Sequence, residues 1–166
     1  MKTSTRIALG LSLSACSIGL AHASDINCHQ VRAEIVDKSD PMNCVSPYNF
    51  CASGTVKGNI DLNGTTYFVL DGVGRRPDSA PGWSVTTGLL VYTTDDGTLT
   101  VRETGVSKLT GSPSNGILTS MQEIVSGTGR FEGATGSLYN NATDVNGVFY
   151  STIQGTLCLV TSVQKE

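Results

Sequence analysis

Beyond residue 29, the chain alternates short runs of β-branched, aromatic and leucine residues with turn residues, a pattern typical of consecutive β-strands. Three of the connections contain Asn63-Gly64, Asp96-Gly97 or Asn146-Gly147, pairs that favour the positive φ angles of tight hairpins. A short helix is an alternative only at 117–125, where β-branched residues and flanking glycines favour a strand. The predicted strands are 30–37, 51–60, 65–73, 84–94, 98–107, 117–126, 134–143 and 147–160.

Eight strands joined in sequence predict an all-β fold, and more specifically a single closed eight-stranded antiparallel up-and-down barrel over residues 24–166. Closure of the sheet leaves no strand edge unpaired, which an open meander would expose. A β-sandwich is the main alternative. The 19 glycines and the low charged fraction of 15% agree with a chain built of strands and turns.

The N-terminus has the features of a signal peptide, which we assign to residues 1–23. Lys2 and Arg6 precede a mostly apolar stretch that is too short for a comfortable membrane span, and Ala21-His22-Ala23 fits a cleavage site. An alternative is a lipid anchor on Cys16. Either interpretation predicts export, as a secreted or periplasmic protein. Removal of the segment changes the formal charge from −3 to −5, so we expect no nucleic-acid partner.

Four cysteines remain after the predicted cleavage, and an even number in an exported chain indicates two disulfides. Cys28 precedes the first strand and Cys158 lies near the end of the last, so closure of a barrel would bring them together. Cys44 and Cys51 would then brace the first long loop. A zinc site is the alternative, but the spacing contains no CxxC unit. We therefore expect no metal and no cofactor.

The predicted connections differ in length, and the long ones, 38–50, 74–83 and 108–116, all fall at one end of a barrel. Functional loops often gather on one face of a rigid scaffold. This end is therefore the predicted mouth of a ligand site. The candidate ligand-binding residues are Tyr48, Arg75, Arg76 and Trp83 on the loops and Tyr67 on the third strand.

Three carboxylate side chains share a strand face with apolar residues, and these faces are candidates for the barrel interior. They are Glu103 in the row from Leu99, Glu123 in the row from Thr119, and Asp71 in the row from Tyr67. Burial would raise the pKa of such groups and suit them to acid–base catalysis. The alternative is that they lie near the rims, hydrated or paired with arginine. An error of one residue in the alternation would reverse each assignment.

Residues 127–136, GTGRFEGATG, form the most distinctive segment of the chain. The segment resembles an element of the allene oxide cyclase and dirigent barrel superfamily, including its bacterial secreted branch, although Ser126 replaces the first glycine of that element. We expect its glycines to allow close backbone approach and its phenylalanine to cap one barrel end. The residues of this motif are Gly127, Gly129, Arg130, Phe131, Gly133 and Gly136.

The resemblance implies a closed barrel, often oligomeric, whose plant members steer cyclisation or radical coupling in an apolar pocket without a cofactor. It transfers no catalytic residue, because the motif carries none of the pocket. The sequence therefore leaves three functions open. They are binding of a small apolar ligand without turnover, cofactor-free cyclisation or isomerisation, and a structural or interaction role for a filled barrel.

Overall fold

A computed structural model describes residues 25–42, 44–74 and 78–161 of the chain. The proposed signal segment with Cys16, and the candidates Arg75 and Arg76, lie outside the described residues. A single turn of 3-10 helix, Gly129–Phe131, lies between the sixth and seventh of eight strands. The strands are β1 (Asp25–Ser39), β2 (Cys51–Gly58), β3 (Gly64–Gly74), β4 (Ser84–Thr94), β5 (Gly97–Thr110), β6 (Asn115–Gly127), β7 (Thr135–Val145) and β8 (Val148–Thr161).

The eight strands form one antiparallel sheet in which each strand pairs with its neighbours in the chain and β1 pairs with β8. The sheet is therefore a ring. The all-β prediction and its eight antiparallel strands are confirmed, and the alternative of a sandwich of two sheets is wrong. β1 begins at Asp25 rather than residue 30, because its pairing with β8 extends from Asp25↔Thr161 to Lys38↔Val148.

Two disulfides brace the ring, and they join the pairs expected from ring closure. Cys28 and Cys158 are direct partners across the β1–β8 pairing that closes the sheet. Cys44 and Cys51 enclose the loop between β1 and β2. Two disulfides indicate an oxidising compartment, because thiols stay reduced in the cytosol. Within the described ranges, no helix is long and apolar enough to cross a membrane.

One end of the ring, which we call the closed end, is filled by apolar side chains. Phe131 and Leu62 have no exposed surface and pack with Tyr92, Leu99 and Leu157. Phe131 belongs to the 3-10 turn before β7, and Leu62 belongs to the loop between β2 and β3. Phe131 is therefore buried at one end of the ring, as the sequence analysis expected.

The backbone of this segment fits only a glycine at position 129. Gly129 has φ +58°, and a Cβ placed on it would lie 2.2 Å from the carbonyl oxygen of Asp96. The same carbonyl accepts a hydrogen bond from the Arg130 backbone N–H at 2.9 Å. The Arg130 side chain forms an ion pair with Asp61 on the neighbouring loop. The segment thus joins two hairpin ends at the closed end.

The three predicted glycine turns differ in geometry, and in the second of them the turn falls at Asp95 and Asp96, with Gly97 already in β5. Asn146-Gly147 has φ values of 53° and 79°, as expected for a tight hairpin with positive φ at both central residues. Around Asn63-Gly64 the positive φ angles instead occur at Ile60 and Asp61, so the prediction of a turn at that dipeptide is wrong. The chain reverses direction before that dipeptide, because the Asn59 side chain forms hydrogen bonds with β1 through its amide oxygen and its amide nitrogen.

Candidate functional site

The other end of the ring encloses a cavity of about 310 Å³. We call this end the mouth. The connections after β1, β3, β5 and β7 lie here, so it is the end that the long predicted loops indicated. The volume lies at the lower limit of the range usual for small-molecule pockets, about 300–1,000 Å³. Apolar side chains make up most of the wall, including Ile35, Phe50, Phe68, Leu70, Leu90, Leu109, Leu118 and Phe149.

Phe50 is held at the cavity by the disulfide-bonded loop that precedes β2. Its ring packs edge-on against Phe68 and Phe149, at centroid distances of 6.3 and 6.2 Å. The Phe50 carbonyl accepts a hydrogen bond from the Leu70 N–H at 3.1 Å, and the Ser46 hydroxyl donates to the Leu70 carbonyl at 2.5 Å. The loop is therefore tied to β3, and this contact fixes an aromatic wall of the cavity.

A buried chain of hydrogen bonds connects the packed core to the cavity. The Tyr92 hydroxyl donates to Gln122 Oε1 at 2.7 Å, and Gln122 Nε2 donates to Glu103 Oε2 at 2.7 Å. Tyr92 and Gln122 have no exposed surface, whereas Glu103 lines the cavity. Burial raises the pKa of Glu103, and the negative charge of Asp37 raises it further, against the opposing effect of the Gln122 hydrogen bond.

Asp37 is a second carboxyl group in the same cavity. It lies on β1, lines the cavity and accepts a hydrogen bond from the Thr66 hydroxyl. Burial raises the pKa of Asp37 from 3.8 to about 6, and the hydrogen bond from Thr66 partly opposes this rise. The cavity thus holds two carboxyl groups within mostly apolar walls, and burial raises the pKa of both.

Of the three predicted carboxylates, only Glu103 lies inside the ring. Glu123 is exposed on the outer face of β6, opposite Arg102. Asp71 is exposed on the outer face of β3 and forms an ion pair with Arg102, whose hydrogen bond lowers the pKa of Asp71. The interior assignments of Glu123 and Asp71 are therefore wrong, and the alternative of an arginine partner applies to Asp71.

The three predicted ligand-binding residues that the structure describes do not line the cavity. Tyr67 is half-buried on the outer face of β3, because its neighbours Thr66 and Phe68 take the interior positions. Tyr48 is 48% exposed on the loop before β2. Trp83 is half-buried immediately before β4 and is absent from the cavity wall. The sequence indicated the correct end of the ring for the cavity, but the prediction that these three side chains line it is wrong.

Asp37, Gln122 and Asn140 are among the polar interior residues that sequence reasoning missed. A usable signal existed for Asp37, since Val31, Ala33 and Ile35 form an apolar alternation whose next member is residue 37. Gln122 had no such signal in the sequence, and only the β5–β6 register of the structure places it opposite Glu103. Asn140 continues the interior alternation that begins at Leu138 on β7.

Comparison of the chain with protein-family models, with curated proteins and with solved structures gave no match.

Proposed function

We propose that the protein is an exported barrel of the up-and-down type that binds one small, mostly apolar molecule without turnover. The observation that carries this proposal is the uneven filling of the ring, packed at the closed end and hollow at the mouth. An eight-stranded barrel is just wide enough either to fill itself with side chains or to hold one small ligand. A cavity of about 310 Å³ disfavours the filled structural module.

Two further parts of the proposal rest on the sequence. The signal-like residues 1–23 and the two disulfides support export, with lipidation at Cys16 as the alternative. The segment at 127–136 supports a relation to the allene oxide cyclase and dirigent barrels, because its glycines and its phenylalanine build the closed end. The resemblance is also our sole reason to expect a homo-oligomer.

Filling the cavity should weaken ligand binding strongly. Ala142 lines the cavity from β7, so Ala142→Phe would place an aromatic ring in the space that a ligand needs. With 1-adamantanol as a neutral, rigid probe, we expect at least about a tenfold loss of affinity by isothermal titration calorimetry, since most of the probe's apolar contact area would be lost.

Thr143→Phe is the matched control, because Thr143 is exposed on the outer face of the same strand. This variant should bind the probe as the unmodified protein does. Ala52→Leu fills the cavity from β2 and provides a second, milder test if Ala142→Phe lowers the melting temperature strongly. Unchanged affinity in a folded, cavity-filled variant would refute the proposed site.

Cofactor-free cyclisation or isomerisation is the second candidate, and the presence of two carboxyl groups, Asp37 and Glu103, in one cavity favours it. A carboxylate whose pKa is about 6 is suited to accept a proton near neutral pH, and Glu103, with its raised pKa, is suited to donate one. The apolar wall would keep bulk water from the reacting carbon. No other described group in the cavity has a comparably raised pKa.

If the cavity supports proton abstraction, it should exchange the α-protons of a bound ketone. With menthone in D2O, deuterium incorporation followed by mass spectrometry should be about 100-fold faster with the protein than with its Asp37→Asn variant, a factor typical of general-base catalysis. Glu123→Gln is the control, because Glu123 is exposed on the outer face. Equal exchange rates for all three proteins would rule out Asp37 as the base.

A further inference from the structure

The ionisable side chains that line the cavity are all of one kind, whereas the outer face carries both signs of charge. Among the residues that the structure describes, the ionisable groups that line the cavity are both carboxyl groups, and no lysine, arginine or histidine joins them. Arg102 is paired with Asp71 on the outer face, and Arg130 is paired with Asp61 at the closed end. The cavity therefore contains two carboxyl groups, Asp37 and Glu103, without a cationic partner in the described wall.

A second, independent observation at the same cavity is an unused hydrogen-bond acceptor. Asn140 lines the cavity from β7, is only 6% exposed, and has no hydrogen-bond partner at its Oδ1 atom. Buried polar atoms are seldom left without a partner in folded proteins, because the lost hydrogen bond costs free energy. Asp37 accepts a hydrogen bond from Thr66 and Glu103 accepts one from Gln122, which leaves each carboxyl group with further acceptor capacity, and Asn140 Oδ1 has no donor at all. A bound molecule could supply the missing donors.

We propose that the preferred ligand is a small apolar amine, whose ammonium group binds among Asp37, Glu103 and Asn140 while its hydrocarbon part fills the aromatic and aliphatic wall. This inference rests on the proposed ligand-binding function and gives it a ligand class. Hydrogen bonds between an ammonium and a carboxylate are stronger than those between neutral groups. An apolar carboxylate would instead bring a further acidic group into a cavity that already holds two buried carboxyl groups and no described cation.

Three probes that share one rigid hydrocarbon skeleton test the inference. They are 1-aminoadamantane, 1-adamantanol and adamantane-1-carboxylate, titrated calorimetrically into the disulfide-bonded protein at pH 7.5. We expect the amine to bind about tenfold or more tightly than the alcohol, because a hydrogen bond to a charged group exceeds a neutral one by about that factor. The carboxylate should bind most weakly of the three.

Two variants assign the preference to the cavity. Asp37→Asn should remove most of the amine's advantage while leaving the alcohol's affinity within about threefold, because only a charge is lost. Glu123→Gln removes a negative charge from the outer face and should leave all three affinities unchanged. Equal loss in both variants would mean that the amine responds only to the overall negative charge, and would overturn the inference.

The outcomes separate this inference from the function on which it rests. Binding of the alcohol with no advantage for the amine would overturn the amine preference and leave the proposed ligand site standing. Binding of none of the three probes would contradict both proposals. Tight binding of the amine that survives Ala142→Phe would place the amine outside the cavity, and would likewise overturn the inference.

Discussion

Replacing Cys28 and Cys158 together by alanine is expected to lower the free energy of unfolding by about 5 kcal/mol, the largest effect of any single disulfide in this chain. The bond joins residues 130 positions apart, so its removal frees almost the whole described ring in the unfolded state. The chain-entropy estimate for a loop of this length is about 5 kcal/mol. Urea unfolding at pH 7, followed by tryptophan fluorescence and circular dichroism, measures the loss.

The matched control is the other disulfide, removed as Cys44→Ala with Cys51→Ala. Its two cysteines are only 7 positions apart, for which the same estimate gives about 2.5 kcal/mol. This variant should remain more stable than the first but should bind apolar probes more weakly, because the loop that holds Phe50 at the cavity would be released. Equal losses of stability in the two double variants would show that loop length does not govern the effect.

The sequence predicted the fold far better than it predicted the site. All eight predicted strands are present, since turn residues and β-branched runs are local signals that neighbouring strands do not override. The pairing of Cys28 with Cys158 followed from ring closure, which brings the first and last strands together. The location of the mouth followed from loop length in the same way.

The interior face of a strand is a weaker signal, because it depends on a side-chain period of two and on which face is apolar. In β6 the interior residues Ser120 and Gln122 are polar, while Met121 and Val125 on the outer face are apolar. Hydropathy therefore did not distinguish the faces. In β3 both faces carry apolar residues, so Tyr67 was assigned inward although Phe68 occupies the interior.

Asp37→Asn is expected to stabilise the protein, by an amount that depends on pH. The pKa of Asp37 is about 6 in the folded protein, against an ordinary 3.8, so the folded state binds this proton more tightly than the unfolded state does. Below pH 3.8 the carboxyl group is protonated in both states and burial carries no ionic penalty. Between 3.8 and about 6 only the unfolded state ionises, so stability falls as the pH rises. Above about 6 the full penalty of about 3 kcal/mol is present.

An asparagine at position 37 cannot ionise, and its Oδ1 can still accept the Thr66 hydrogen bond. The variant should therefore match the unmodified protein near pH 4 and exceed its stability by about 3 kcal/mol at pH 8, since the full ionic penalty has then been removed. Urea unfolding across this range gives the difference directly. Glu34→Gln on the same strand is the control, because Glu34 is exposed and its replacement should give no comparable pH-dependent gain.

A constant difference between Asp37→Asn and the unmodified protein from pH 4 to 8 would show that the ionisation of Asp37 is not opposed by burial. It would also remove the electrostatic basis for an amine in the cavity.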